Sequence, residues 1–311
     1  MSLLLSGAMV NNHISYAASD RSYFAILRKG VHKQAVNAGF TDKKIAHLDL
    51  IVAEITSNLS KHSVGGEVLC AILGQGNDQY IELISIDRGP GISNLQAMLV
   101  DGVSTVNTLG NGLGSIKRLS DYFSIYTLKG WGTILISRLY INEVPRNRHS
   151  ASINTLIVAK PNETLSGDGC LFKQTERYLK VLLLDGLGHG PEANKVIVEA
   201  ASNFKLCPAS EPEEIIRFLH SPLKKTRGGV GTVVVYDFLE ASAKVLGVGN
   251  ISTKIIDGIE LKNVMSYNGI IGHNIPNSMS NHVLRSQDFR YLVLCSDGIK
   301  SRWDLSKLPM I

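Results

Sequence analysis

The chain has 311 residues, of which 44% are hydrophobic and 19% charged, so it can bury a sizeable core and is long enough for two domains. Its net charge of +5 is small and its basic residues do not cluster, which argues against a nucleic-acid-binding surface or a polybasic membrane patch. The four cysteines form no Cys-x-x-Cys pair, and no apolar run approaches the roughly 18 residues that cross a membrane. We therefore expect a cytoplasmic protein whose partners are proteins and small anions.

A polar, proline-containing segment at residues 142–150 separates two parts of the chain that both show strand patterns. We predict an N-terminal domain of residues 1–141, a linker of residues 142–150 and a C-terminal domain of residues 151–311. The first part carries a long helix, two strands, a glycine-rich loop with a helix, and a closing hairpin. The second part carries several strands and two helices, so the fold class is α+β.

A long helix is predicted from Thr41-Asp42 to about His62, because apolar residues recur there at helical spacing (Ile45, Leu48, Val52, Ile55 and Leu59). Glu54, Asn58 and His62 follow one another at intervals of four residues and form a polar stripe beside the apolar face. A solvated edge of an amphipathic helix would give the same stripe.

The strand predicted at residues 79–86 ends at Asp87, which is followed by Arg88-Gly89-Pro90-Gly91. A carboxylate at that point can accept hydrogen bonds from an amino-purine, and glycines allow the backbone to approach the ring closely. An ordinary turn at the end of a strand is the alternative.

The segment Leu109-Gly110-Asn111-Gly112-Leu113-Gly114 opens a helix, so its backbone N–H groups can face a phosphate. Such a glycine pattern alone also fits a flexible loop. Here it comes after Glu-x-x-x-Asn and Asp-x-Gly-x-Gly, and a hairpin with Gly132-Thr133 follows it.

This ordered set resembles the GHKL ATP-binding family over roughly residues 15 to 140, and within it the switch-type serine kinases of bacterial anti-sigma systems. The resemblance implies an α/β sandwich (the Bergerat fold) that uses ATP and Mg²⁺. It implies Glu54 as the catalytic base, Asn58 as the Mg²⁺ ligand and Asp87 as the adenine-recognising residue. The remaining nucleotide-binding positions are Gly89, Gly91, Gly110, Gly112, Gly114 and Thr133.

Three aspartates in the second half stand beside glycine, and two of them end apolar runs of strand character. They are Asp168 in Ser-Gly-Asp-Gly, Asp185 after Tyr178–Leu184, and Asp297 after Tyr291–Ser296. Carboxylates at strand ends suit hard divalent cations, and a pair of such ions generates hydroxide at neutral pH. Asp-Gly is also a common tight turn, so each example alone fits a structural role.

Together with Leu187-Gly188-His189-Gly190, Thr226-Arg227-Gly228 and Gly247-Val248-Gly249-Asn250, these motifs resemble the metal-dependent protein phosphatases of the SpoIIE type from about residue 152 onwards. The resemblance implies a β-sandwich flanked by helices. It also implies that Asp168, Asp185, Asp297 and the Gly186 carbonyl hold two Mn²⁺ or Mg²⁺ ions. His189 is left outside this ligand set.

That family normally has a further acidic motif, often Asp-Asp, beyond the position of Asp297, whereas this sequence ends at Pro309-Met310-Ile311 without one. We expect either a shortened sequence or a phosphatase half in which one metal is poorly held. The two resemblances together predict a bifunctional serine/threonine kinase and phosphatase that acts on a STAS-type regulatory protein in sigma-factor or stress regulation. The alternatives are a catalytically idle ATP-binding module that sequesters a partner, such as a sigma-regulatory protein, and a small-molecule hydrolase in the second half.

Overall fold

The computed structural model describes residues 5–9, 12–18, 21–63, 65–74, 76–99, 112–142, 151–257 and 260–300. The chain divides into two compact units, one of residues His13–Arg148 and the other of Met1–Asn12 together with His149–Ile311. Both units are α+β, and all strand pairs in their sheets are antiparallel.

The first unit contains a five-stranded sheet with strand order β2-β3-β4-β6-β5. Its elements in chain order are β2 (Ile14–Ala17), α1 (Arg21–Asn37), α2 (Asp42–His62), β3 (Gly66–Leu73), β4 (Tyr80–Asp87), α3 (Leu95–Met98), α4 (Gly112–Leu119), β5 (Tyr122–Leu128) and β6 (Gly132–Tyr140). Leu27 and Val31 of α1, Ile51 of α2 and Leu83 and Leu139 of the strands share one buried core, so the helices cover one face of the sheet.

Helix α2 begins and ends where the sequence predicted. Thr41 is its N-cap and accepts a hydrogen bond from the Lys44 backbone N–H. Helix α1 was not predicted, although Phe24, Leu27, Val31 and Ala35 are buried at helical spacing and carried the signal.

The second unit contains a six-stranded sheet, β1-β7-β8-β9-β10-β13, and a three-stranded sheet, β12-β11-β14. Its elements are β1 (Leu5–Met9), β7 (Asp168–Gln174), β8 (Tyr178–Gly186), α5 (Gly190–Leu206), α6 (Pro212–Leu223), β9 (Gly229–Asp237), β10 (Ser242–Val248), β11 (Ser252–Asp257), β12 (Glu260–Val264), β13 (His282–Arg285) and β14 (Tyr291–Cys295).

Strand β9 shows how these layers stack. Val233 and Val235 belong to the core shared with α5 and α6, whereas Val234 between them belongs to the core shared with Ile255 of β11 and Leu292 of β14. Because successive side chains of a strand point to opposite faces, helices cover one face of the large sheet and the small sheet covers the other. This agrees with the predicted sandwich flanked by helices.

The two compact units differ from the predicted domains at the N-terminus. Strand β1 pairs with β7 from Leu5↔Gln174 to Met9↔Cys170. By adding to the edge of the large sheet, β1 gains partners for its backbone N–H and C=O groups. The first unit is therefore inserted between β1 and the rest of the second unit. Residues 143–150 of the predicted linker lie outside the described residues.

Candidate functional site

The polar stripe on α2 faces the start of α4. Glu54 and Asn58 are half-buried. A Cβ placed on Gly112 would lie 3.2 Å from Glu54 Oε2 and 3.3 Å from Asn58 Oδ1. The first turn of α4, whose N–H groups have no partners within the helix, therefore lies directly beside the two side chains. A carboxylate, an amide oxygen and free N–H groups are the components that a metal-bound phosphate requires.

Asp87 lies at the end of β4, opposite Thr133 of β6. Its Oδ1 accepts a hydrogen bond of 2.7 Å from the Gly89 N–H. The other carboxylate oxygen has no hydrogen-bond partner in the part of the chain that the structure describes, so it is available to an amino group of a ligand. A Cβ on Gly89 would lie 2.5 Å from the His62 carbonyl oxygen at the end of α2, so only glycine fits there.

Helix α2 thus connects the two parts of this site. Asn58 precedes His62 by four residues, which is a rise of about 6 Å along the helix. Gly112 lies against the Asn58 turn and Gly89 against the His62 turn. The acidic, amide and glycine components predicted from three separate segments therefore meet at the C-terminal half of one helix.

A hydroxyl pair ties the turn after Asp87 to the hairpin. Thr127 Oγ1 lies 3.1 Å from Thr133 Oγ1 and accepts a hydrogen bond of 2.8 Å from the Ile92 N–H. Gly130 N–H donates to the Pro90 carbonyl, and Gly91 has a φ of +74° beside the Leu128 carbonyl. Sequence reasoning missed Thr127, whose only signal was its position across the hairpin from Thr133.

Two of the predicted nucleotide-site residues add nothing to this geometry. Gly114 is buried within α4, and its part in phosphate binding stays a prediction. Gly110 lies outside the described residues.

In the second unit, Asp168 at the start of β7 lies directly opposite Asp185 near the end of β8. Ser296, which precedes Asp297, donates a hydrogen bond of 3.0 Å to Asp168 Oδ2. Gly186 N–H donates to the Gly167 carbonyl and holds the two strand ends together. The structure therefore brings Asp168 and Asp185 together and places the residue before Asp297 in contact with Asp168. Ser296 is a contact that sequence reasoning missed.

The carboxylates repel one another. Burial raises the pKa of Asp185 to about 7, with further contributions from the charges of Asp168 and Asp297. Burial also raises the pKa of Asp168, as does Asp297, while the Ser296 hydrogen bond opposes the shift. An all-oxygen set of mutually repelling carboxylates suits a hard divalent cation, which would relieve the repulsion.

The aspartate side chains lie farther apart than the ligands of a bound metal ion. Within the described ranges, no three His, Cys, Asp or Glu side chains are grouped tightly enough to hold a metal ion as they stand. The charges of the aspartates influence one another over longer distances than the metal–oxygen bonds of about 2.1 Å that Mg²⁺ requires. The carboxylates can therefore shift each other's pKa without forming a complete set of metal ligands.

The loop after Asp185 carries two further contacts. His189 Nδ1 lies 2.7 Å from Glu163 Oε1, and Gly190, with a φ of +67°, leaves the space that this carboxylate occupies. Gly188 has a φ of +101°, and a Cβ there would lie 2.7 Å from Arg227 Nη1. Glu163 was not recognised from the sequence, because it has no motif of its own.

No protein-family model matches the chain. Among curated proteins, the serine/threonine-protein kinase RsbT of Bacillus subtilis (strain 168) is 30% identical over 99 residues, which are 32% of this chain and 74% of RsbT. The chain belongs to the RsbT family. The remaining two thirds of this RsbT-family chain lie beyond that match.

Three solved structures give partial matches. One comes from work on the bacterial stressosome as a modular system adapted to control secondary messenger signalling (28% identity, 41% of this chain, 67% of that chain, TM-score 0.39). The second is RsbX in complex with magnesium (21% identity, 41% of this chain, 64% of that chain, TM-score 0.37). The third is the PP2C phosphatase domain of SpoIIE from Bacillus subtilis with a fragment of its regulatory domain (15% identity, 85% of this chain, 73% of that chain, TM-score 0.35). All three TM-scores lie below 0.5, so no common fold follows from them.

In the described ranges of this RsbT-family chain, every helix is too short or too polar to cross a lipid bilayer. The four cysteines are free and buried.

Proposed function

We propose that this RsbT-family chain is a bifunctional, cytoplasmic signalling enzyme. One unit would phosphorylate a serine or threonine of a STAS-type regulatory protein with ATP, and the other would remove that phosphate with bound Mn²⁺ or Mg²⁺. The observation that carries the proposal is the presence, in one chain, of the Glu54–Asn58–Gly112 cluster and of a second cluster of three aspartates. Opposing activities in one protein set the phosphorylation level of a partner and hence which protein that partner binds.

In the first unit, phosphoryl transfer depends mainly on positioning and charge neutralisation. Asn58 would hold Mg²⁺ against the phosphates, and Gly110, Gly112 and Gly114 would leave backbone N–H groups free to bind them. Glu54, one helical turn from Asn58, would accept the proton of the attacking hydroxyl. The approach of Gly112 to both side chains supports this assignment.

At the other end of the same site, Asp87 would accept a hydrogen bond from the adenine amino group. Gly89 and Gly91 would leave room for the ring, and Thr133 would support the contact. The fixed Asp87–Gly89 hydrogen bond and the Thr127–Thr133 pair support this role, because a rigid acceptor binds a planar base without an ordering cost.

In the second unit, Asp168, Asp185, Asp297 and the Gly186 carbonyl would hold the divalent ions. Bound metal would lower the pKa of a water molecule and so supply hydroxide for attack on the phosphate. The aspartates would orient the ions, and their raised pKa values support a site that takes up positive charge.

The kinase role is tested by transfer of the γ-phosphate of ATP to a STAS-domain protein. Glu54→Ala should abolish transfer while ATP binding, measured by calorimetry, survives. Asp49→Ala is the matched control, since Asp49 lies on the same helix but pairs with His32 at the surface. Retained transfer by Glu54→Ala rejects Glu54 as the base, and loss of transfer by Asp49→Ala as well means that the effect is structural.

A catalytically idle module that binds ATP and sequesters its partner is the second candidate. It is favoured by the absence, among the described residues, of three closely grouped metal ligands. Nucleotide-dependent binding of the partner without any phosphate turnover in the presence of Mn²⁺ would select this candidate over the enzyme.

A further inference from the structure

We propose that His220 and Gly272 form a pH-sensitive latch, which fastens the loop of residues 269–277 to helix α6 near neutral pH and releases it in acid. The latch is the hydrogen bond between these two residues. It is a conformational device of the second unit, and it requires neither of the two proposed activities.

The direction of this hydrogen bond fixes the protonation state of the imidazole. Gly272 N–H donates to His220 Nδ1 over 3.0 Å. A backbone N–H can only donate, so Nδ1 must offer its lone pair and the ring must be neutral, with its proton on Nε2. A second proton on Nδ1 would set two donors against each other, and the hydrogen bond would be lost.

The loop backbone comes close to α6 at the same residue. Gly272 has a φ of +101°, and a Cβ there would lie 2.8 Å from the Leu223 carbonyl oxygen at the end of the helix. Only glycine permits this conformation and this approach. Loss of its acceptor leaves the Gly272 N–H unpaired beside the helix, which favours movement of the loop towards water.

The surroundings of the ring favour its neutral form. His220 is half-buried and lines a cavity of about 390 Å³ together with Arg217 and His273. Burial lowers the pKa of His220 below its ordinary value of 6.5, and the charges of Lys224, Arg217 and His273 lower it further. Helix α5 and strands β9 and β10 also pack against α6, but among the described residues they add no charge to this shift.

The sign of the pH dependence follows from the lowered pKa. The unfolded chain takes up a proton on His220 at a higher pH than the folded chain does. The stabilisation from neutral His220 is therefore complete above the ordinary histidine pKa. It is lost as the pH falls through the lower pKa of the folded protein, so the latch opens in acid and closes near neutrality.

A second tie between α6 and the loop does not depend on pH in this range. Arg217 Nη2 donates a hydrogen bond of 2.6 Å to the Asn277 carbonyl and pairs with Glu213. The guanidinium keeps its charge at every relevant pH. Acid therefore frees the Gly272 end of the loop, while the Asn277 end stays attached to the helix.

The free end of the loop supports the start of β9. Ile271 and Gly229 exchange two backbone hydrogen bonds of 2.8 and 3.0 Å, and Gly229 lies opposite Gly186 at the end of β8. Release of the neighbouring Gly272 would loosen this pairing. Local opening in acid would thus spread from the latch to the adjoining ends of β8 and β9.

The experiment observes the full chain by NMR. Near neutral pH, the ¹⁵N shifts of the His220 ring should show Nε2 protonated and Nδ1 free. Protection of the Gly272 amide against hydrogen exchange, corrected for its intrinsic rate, should fall about 5- to 10-fold between about pH 7.5 and about pH 5.5, as expected for one lost hydrogen bond. The Ile215 amide, which bonds to the Glu211 carbonyl in the first turn of α6, is the internal reference and should not change.

Two variants of His220 separate titration from simple loss of packing. His220→Asn places an amide oxygen near the position of Nδ1 and does not titrate, so Gly272 protection should become independent of pH. His220→Leu removes the acceptor, so protection at about pH 7.5 should equal that of wild type at about pH 5.5. His282→Asn changes an exposed histidine of β13 and is the matched control, which should keep the wild-type pH dependence.

Three results would overturn the inference. They are a His220 ring protonated on Nδ1 at neutral pH, equal Gly272 protection at both pH values in wild type, and a wild-type fall in protection in His220→Asn. If His220→Leu does not fold, the wild-type titration and His220→Asn still decide.

Discussion

Asp168 and Asp185 occupy directly opposite positions on neighbouring strands, so two carboxylates stand side by side at one end of the large sheet. Like charges in that position destabilise a strand pair unless a cation or protons neutralise them. The Ser296 hydrogen bond to Asp168 brings the Asp297 turn to the same place. The strand register therefore pairs two of the three aspartates, and the turn after β14 contributes the third.

The metal-free protein should lose stability as the pH rises. The pKa of Asp185 is about 7 in the folded protein against 3.8 as the ordinary value, so the folded state binds the extra proton between these values. The stabilisation that comes from protonated Asp185 is complete below a pH of about 4 and is lost as the pH approaches 7. We expect Asp185→Asn to flatten the fall in melting temperature between pH 4.5 and 8 in the presence of a chelator.

The same variant should no longer gain stability from Mn²⁺, whereas wild type should melt at a higher temperature when the ion is added. Asp257→Asn, which changes an exposed aspartate at the end of β11, serves as the control. A Mn²⁺-dependent rise in Asp185→Asn equal to that of wild type would contradict the metal site.

Gly112→Ala should impair ATP binding with little loss of stability. The added methyl group would meet Glu54 and Asn58 at 3.2 to 3.3 Å, which crowds the side chains needed for Mg²⁺ and phosphate. Alanine is also the better helix former, which offsets part of this crowding. Gly30→Ala in α1 should behave in the opposite way, because its methyl group would collide with the Tyr16 ring, and neither residue is a predicted ligand contact. Calorimetric ATP binding and thermal unfolding of both variants distinguish the two effects.

Thr127→Val should weaken ATP binding and stability together. Valine has nearly the shape of threonine, but it leaves the Ile92 N–H without its acceptor and removes the contact with Thr133. We expect a cost of about 1 to 2 kcal/mol in the free energy of unfolding. Thr127→Ser keeps the hydroxyl and should stay near wild type. Equal ATP affinity in wild type and Thr127→Val would mean that the hydroxyl pair does not shape the site.

Glu82→Gln should destabilise the first unit by about 3 kcal/mol, because Glu82 is 1% exposed and pairs with His13 and Arg138. Burial raises the pKa of Glu82, but the His13 hydrogen bond and the Arg138 charge outweigh it, so the pKa lies below its usual value. The stabilisation is therefore present above the ordinary glutamate pKa and is lost as the pH falls below it. Denaturant unfolding at pH 7, with the more exposed Glu67→Gln as control, measures the effect.

Deletion of residues 1–10 should destabilise the second unit and spare the first. Strand β1 pairs with β7, which carries Asp168 at its start. We expect faster hydrogen exchange along β7, weaker Mn²⁺ binding and unchanged ATP binding. If hydrogen exchange became faster in β2 and β3 instead, residues 1–10 would stabilise the first unit and the prediction would be wrong.

Several features could be predicted from the sequence because their signals are local. Helical spacing and the Thr41 cap predicted α2, and apolar runs ending in aspartate predicted the ends of β4 and β8. Glycines at Gly89, Gly91 and Gly112 marked places where the backbone approaches another element closely. Such signals depend on neighbours within a few residues, so they can be read without knowing the fold.

Other features depend on which strands pair, and pairing joins residues that are distant in the chain. Strand β1 has no local mark that assigns it to β7, more than 150 residues away. Nothing in the sequence around Thr127, Glu163 or Ser296 marks them as site residues. The tertiary structure places Thr127 beside Thr133, Glu163 beside His189 and Ser296 beside Asp168. The amino-acid order thus settled the residue types of both sites, whereas only backbone hydrogen bonding between distant strands decided which of them meet.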